Sequence, residues 1–275
     1  MLFFKKTLKR WYKRTNRKIT ISKRQQLVII TLILAAGMIL TQLVSSDYRY
    51  RLVVALSLTT YITTAFALRE DLRGVEWITL LTLPSLFTAA VGSFYFLLPV
   101  RWLTRLPVAL LYMIGIYALL LTVNIYNIAA IRTIALLRAA HSIGFLLTIL
   151  TYYFLVQTVF AARINILVNI LFVGIISFLL YIQLLWSVHL EPRLSHSILV
   201  ISLALSIVQA QLAWILTLWP VNSTFVTLFL TTVFYSTAGL AQQYLQERLY
   251  KKTVNEFASV VVIIFLLLII ATQWR

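Results

Sequence analysis

The fold is decided by the first long apolar run, which reads LVIITLILAAGMILTQLV over Leu27–Val44. A helix of that length can cross the hydrocarbon core of a bilayer. The basic segment before it, Met1–Arg24, is too long for the leading region of a cleaved signal peptide, and many further apolar runs follow. We therefore interpret Leu27–Val44 as an uncleaved signal anchor.

The rest of the chain repeats this pattern with short connectors between the runs. The further runs are Leu52–Leu68, Trp77–Leu98, Pro107–Tyr126, His141–Phe160, Ile164–Leu185, Ile198–Leu218, Thr224–Ala241 and Phe257–Thr272. Hydrophobic residues make up 61% of the chain and charged residues 11%, against about 45–50% and about 25% in soluble domains. We predict an all-α polytopic transmembrane bundle of about nine spans. Residues 1–25 form a basic tail and residues 26–275 the transmembrane domain.

The tail carries ten basic residues and no acidic residue. They are Lys5, Lys6, Lys9, Arg10, Lys13, Arg14, Arg17, Lys18, Lys23 and Arg24. Because positive charge before the first span usually stays inside, we predict a cytoplasmic amino terminus and an external carboxyl terminus. Phe4, Leu8 and Trp11 recur at helical spacing, which favours an interfacial amphipathic helix bound to anionic lipid. The net charge of +17 is interpreted in the same way, rather than as a nucleic-acid surface.

One connector is unusually apolar: Asn127–Ala140, NIAAIRTIALLRAA. It contains two arginines, and each would cost about 2.5–3.5 kcal/mol at the centre of the bilayer. We expect an interfacial or re-entrant helix there instead of a span. If one of the nine apolar runs does not span, the count falls to eight and the carboxyl terminus lies inside.

The densest polar cluster lies around this connector. It comprises Asn124, Asn127, Arg132, Arg138 and His141. Guanidinium groups match phosphate with paired donors, so the cluster is a candidate site for a lipid headgroup or another anion. The alternative is that the arginines only reach the headgroup layer and anchor the helix.

Polar residues also recur at helical spacing inside the spans. The stripes are His141, Gly144, Thr148 and Thr151; Ser202, Ser206 and Gln209; Thr232, Ser236, Gly239 and Gln243; and Asn165 and Asn169. Helix packing is the favoured interpretation, and a polar substrate cavity is the alternative. All seven acidic residues fall in connectors or at helix ends, which argues against an ion-coupled carrier.

The sequence contains few residue patterns that are typical of an active site or a metal site. It contains no cysteine, which excludes disulfides and thiolate sites. His189 and His196 share one connector with Glu191 and Arg193. This set of residues does not match a metal-ligand pattern. Asp47 lies beside Arg49 and Arg51 and is interpreted as an ion-pair partner, not as the base of a lipid-linked glycosyltransferase. We expect no metal or cofactor, and the pattern favours a non-enzymatic protein.

The stretch NIYNIAAIRTIALLRAAHSIGFLLT, Asn124–Thr148, resembles a segment of bacterial multi-pass membrane proteins classed under a domain of unknown function. The resemblance covers the central half of the chain. It implies a bacterial source and hence the cytoplasmic membrane, and it carries no activity with it.

Three functions remain open from the sequence. The first is a non-enzymatic structural or assembly component with a lipid-binding tail, working with membrane-protein partners or further copies of itself. The second is a transporter or lipid-handling protein that uses the Asn124–His141 cluster. The third is a membrane enzyme that acts on a lipid-linked substrate.

Overall fold

A computed structural model describes residues 22–43, 48–69, 72, 74–98, 102–129, 136–162 and 165–272. Within these ranges the protein is all-helical. The helices are α1 (Lys23–Leu43), α2 (Arg49–Leu68), α3 (Glu76–Tyr95), α4 (Trp102–Ala129), α5 (Leu137–Ala161), α6 (Ile166–His189), α7 (His196–Thr217), α8 (Ser223–Leu245) and α9 (Lys251–Ile270).

Each of the nine described helices is long and apolar enough to cross a membrane. Helices are the natural outcome for such segments, because lipid offers no partner for an unpaired backbone amide. All nine predicted apolar runs therefore correspond to helices in the part of the chain that the structure describes. Contacts between successive helices show antiparallel packing: the start of α2 meets the end of α3 at Val53 and Gly92, and the end of α4 meets the start of α5 at Tyr126 and Ala140. We call the side where α1 begins the amino-terminal face and the other side the opposite face.

The centre of the bundle is built from α3, α5 and α6 with α4 and α8 around them. Its core is aliphatic with large buried aromatic rings. Phe234 of α8 stacks on Tyr152 of α5 at 4.2 Å between ring centroids and lies 4.4 Å from the ring of Tyr181 of α6. The last helix, α9, packs mainly on α8, and only 6% of its most apolar stretch is buried.

One predicted segment needs correction. Helix α4 begins at Trp102 and runs through Ala129, and α5 begins at Leu137, so both ends of the expected interfacial segment Asn127–Ala140 belong to these two long helices. The physical reason is that the apolar residues at both ends continue the helical periodicity of their neighbours. The predicted tail falls mostly outside the described residues, except that Lys23 and Arg24 already belong to α1.

Candidate functional site at the amino-terminal face

The link between α4 and α5 brings most of the predicted polar cluster to one end of the bundle. Asn124 and Asn127 lie in the last two turns of α4, and Arg138 and His141 lie in the first two turns of α5. Arg132 lies outside the described residues. The side chain of Arg138 is exposed, whereas His141 is half-buried and Asn127 is fully buried.

His141 is held by the backbone of α6. Its Nε2 donates a hydrogen bond to the carbonyl oxygen of Ser187 at 2.7 Å. A carbonyl only accepts, so the hydrogen of the imidazole must lie on Nε2. The ring centroids of His141 and Tyr126 are 5.4 Å apart. His141 therefore joins α5 to α6 and contacts α4.

Tyr126 is a residue of this site that the sequence did not reveal. Its hydroxyl donates to the carbonyl oxygen of Ala140 at 3.0 Å, and its side chain is 2% exposed. Gly144 makes room for it, because a Cβ at that position would lie 2.6 Å from the Tyr126 hydroxyl oxygen. The glycine that appeared as part of a polar stripe thus sets the spacing between α4 and α5.

The two asparagines of α4 hold the unused hydrogen-bonding capacity of the site. Asn127 is 0% exposed, and neither its Nδ2 nor its Oδ1 has a hydrogen-bond partner. The Oδ1 of Asn124 is also buried without a partner. An unmet buried polar group costs about 1–3 kcal/mol. Such groups in a native protein are explained by an ordered water, an ion or a ligand.

Glu76 is the other unexpected member of this end of the bundle. Glu76 is the first residue of α3, in agreement with the prediction that it lies at a helix end. Its side chain, however, is only 4% exposed. A carboxylate at a helix amino terminus is favoured by the helix dipole. No pattern in the sequence predicted that the Glu76 side chain is buried.

Deeper in the bundle, a chain of side-chain hydrogen bonds joins four helices. The Tyr152 hydroxyl donates to Gln209 Oε1 at 3.1 Å, and Gln209 Nε2 donates to the Tyr181 hydroxyl oxygen at 3.3 Å. The Tyr181 hydroxyl is in turn 2.7 Å from Thr237 Oγ1. This network joins α5, α6, α7 and α8 in the middle third of each helix.

The predicted polar stripes lie largely within helix contacts. In the first stripe, His141 bonds to α6 as described above, and Thr148 donates to the carbonyl oxygen of Gly144 in its own helix at 2.7 Å. Ser236 of the third stripe donates to the carbonyl oxygen of Phe257 of α9 at 3.4 Å. Gln209 of the second stripe belongs to the network above. In the fourth stripe, Asn169 is 3% exposed, and Asn165 caps α6 by accepting from the amide of Leu167 at 3.1 Å.

The weaker candidates do not gather into a site. His189, Glu191, Arg193 and His196 are all exposed. No group of three or more His, Cys, Asp or Glu side chains among the described residues is placed to hold a metal ion. Asp47 lies outside the described residues.

Comparison with known proteins gives a family but no activity. The family described as "Protein of unknown function (DUF5656)" matches residues 25–271, which includes all nine helices except the first two residues of α1. Neither a curated protein nor a solved structure matches the chain. The match covers most of the sequence, and the chain therefore belongs to the DUF5656 family of proteins of unknown function.

Proposed function

We propose that this protein is a non-enzymatic structural or assembly component of a bacterial cytoplasmic membrane. In this proposal the helical bundle is a rigid platform for membrane-protein partners or further copies of the chain. Its basic tail contacts anionic lipid on the cytoplasmic side.

The observation that carries the proposal is how the intramembrane polar groups are used. Three of the four stripes each provide a side-chain hydrogen bond to another helix, through His141, Gln209 and Ser236. A carrier would instead turn such groups towards a hydrated path. Polar side chains that join helices rigidify the bundle, which is what a platform needs.

Accessibility to a water-soluble thiol reagent tests this. The chain contains no cysteine, so every introduced cysteine reports one position. Ser206 lies in the second stripe and is 4% exposed. We expect Ser206→Cys to stay unmodified by a hydrophilic methanethiosulfonate reagent in proteoliposomes, because no water reaches it.

The matched control is Ser197→Cys in the same helix, where the side chain is exposed at the amino-terminal face. It should react readily. Similar modification rates at the two positions, in variants that retain the wild-type melting temperature, would contradict the packing role and favour a carrier.

A second function is favoured by one specific observation, the unpaired atoms of Asn127 and Asn124. In this reading the cluster at the amino-terminal face binds a phosphate-bearing lipid headgroup or another anion. The Nδ2 of Asn127 would donate a hydrogen bond from inside the bundle, and Arg138 would supply charge from its exposed position.

Replacement of Asn127 by leucine distinguishes the two proposed functions. If the site binds an anionic headgroup, added phosphatidylglycerol should raise the melting temperature of the wild type by more than that of Asn127→Leu, which keeps any other lipid site. The control is Asn255→Leu in α9, whose asparagine is exposed and whose response to the lipid should stay as in the wild type. An equal lipid response in all three proteins would exclude headgroup binding by Asn127.

A further inference from the structure

The half of the bundle towards the opposite face carries an apolar groove with a volume of about 660 Å³. Three helices line it, α3, α5 and α6, and Tyr50 from the start of α2 reaches its edge. A volume of this size is typical of small-molecule sites, which span roughly 300–1,000 Å³. The groove is separate from the Asn124–His141 cluster, which lies at the amino-terminal face.

The groove runs along the membrane normal. On α3 its lining extends from Leu86 to Ser93, and on α6 from Phe172 to Leu179. At 1.5 Å per residue each stretch is about 10 Å long. Half of the hydrocarbon core is about 15 Å thick, so the groove covers most of the depth of one leaflet.

The interior of the groove is almost entirely apolar and does not favour a polar ligand. Two of its three hydroxyl groups belong to Ser93 and Thr158, and both already donate to carbonyl oxygens of their own helices, at 2.6 Å to Ala89 and 2.8 Å to Phe154. The remaining lining is aliphatic or aromatic except for the Tyr50 hydroxyl. A hydrocarbon chain is the ligand that matches this surface.

Positive charge lies at the end of the groove that meets the headgroup layer. The ring of Tyr50 contacts the ring of Phe96 edge-on at 5.6 Å, and the guanidinium carbon of Arg49 lies 5.7 Å from the centre of that same ring. Arg51, two residues further, is exposed. In the sequence, Arg163 directly follows the lining residue Ala162.

The first turn of α2 has a single charge sign, because it carries Arg49 and Arg51 and no acidic residue. Arginine favours phosphate because its planar fork of donors matches the phosphate oxygens. An anionic headgroup therefore complements the positive charge at this end of the groove.

We propose that the groove binds one anionic phospholipid, with an acyl chain between α3, α5 and α6 and the phosphate beside Arg49. The lipid occupies the leaflet at the opposite face and fills the surface between the three central helices. The bundle is then a protein–lipid unit in which one lipid has a fixed position, whatever partner the platform holds.

Native mass spectrometry of the purified full-length chain tests the proposal, by titration with phosphatidylglycerol or phosphatidylcholine. Two variants fill the groove. Val159→Trp acts at a half-buried lining position, and Ile175→Trp acts at a lining position that is 49% exposed and tolerates a larger side chain. Leu203→Trp is the control, on the lipid-exposed surface of α7 at 52% exposure.

We expect the wild type and Leu203→Trp to bind one phosphatidylglycerol at least tenfold more tightly than phosphatidylcholine. Both groove variants should weaken phosphatidylglycerol binding at least tenfold. Unchanged binding in Ile175→Trp, with the wild-type melting temperature retained, would overturn the acyl-chain site.

The headgroup is tested separately by Arg49→Gln, with Arg248→Gln, exposed beyond α8 at the amino-terminal face, as the control. We expect Arg49→Gln to lower the preference for phosphatidylglycerol at least fivefold while phosphatidylcholine binding stays constant. An unchanged preference would overturn the assignment of the phosphate to Arg49. The platform proposal is untouched by either outcome, because the thiol-accessibility experiment decides it independently.

Discussion

Replacement of Gln209 by leucine is the sharpest test of how the bundle is held together. Gln209 is 0% exposed and lies between two tyrosine hydroxyl groups, accepting from Tyr152 at 3.1 Å and donating to Tyr181 at 3.3 Å. Leucine has a similar size and a high helix propensity. The substitution therefore removes two interhelical hydrogen bonds with little change in packing.

The expected loss follows from those two bonds. Interhelical side-chain hydrogen bonds in membrane proteins average about 0.6 kcal/mol, with a maximum near 1.7 kcal/mol. Tyr181 keeps its contact with Thr237 at 2.7 Å, which limits the penalty on that side. We expect the free energy of unfolding to fall by about 1–3 kcal/mol.

The measurement is reversible unfolding in mixed micelles by titration with a denaturing detergent. Gln211→Leu is the control, because Gln211 is the same residue type in the same helix but is exposed. Loss of a polar group that faces lipid should leave the stability of the Gln211→Leu protein unchanged or raise it. The difference between the two variants isolates the contribution of the buried network.

A double-mutant cycle with Tyr152→Phe measures the single bond between Tyr152 and Gln209. We expect a coupling energy of about 0.6 kcal/mol. A Gln209→Leu protein as stable as the wild type, together with a coupling energy near zero, would refute the reasoning. The polar groups in the middle third of each helix would then not be what joins the four helices.

Three other predictions concern the ends and the edge of the bundle. A reporter fused after Arg275 should be active only outside the cytoplasm, and activity inside would contradict the predicted orientation. An environment-sensitive dye on Thr15→Cys should report contact with anionic nanodiscs that 1 M salt abolishes, since the Debye length then falls to about 3 Å; salt-insensitive contact would contradict electrostatic binding. Gly239→Ile should lower the unfolding free energy by about 1–3 kcal/mol, because even a Cβ there would lie 2.5 Å from the Phe257 ring. Phe257→Ala should restore part of that stability, and no recovery would show that α8 and α9 do not pack as described.

Part of the polar cluster at the amino-terminal face could be predicted from the sequence. The sequence predicted Asn124, Asn127, Arg138 and His141 as neighbours at a membrane boundary because they flank one short link, and the structure places them at one end of the bundle. It did not predict the partner of His141, since the Ser187 carbonyl comes from a helix far along the chain.

Other features of the site needed the tertiary structure. The sequence could not show that both amide atoms of Asn127 are buried without partners, because that depends on every side chain packed around it. Likewise the burial of Glu76 is invisible in a pattern that shows only an acid at a helix end.

The sequence by itself determined that this protein is a bundle of apolar helices, because hydrocarbon forces each apolar segment to satisfy its own backbone hydrogen bonds. That requirement is local, so length and composition were enough to find the nine helices that the structure describes. The tertiary structure decided which helices meet, and with them the network through Gln209 and the groove beside Tyr50. In lipid, apolar surface gains little from contact with another helix. The arrangement is therefore selected by small residues, hydrogen bonds and the fit of side chains between distant segments, which no single stretch of sequence contains.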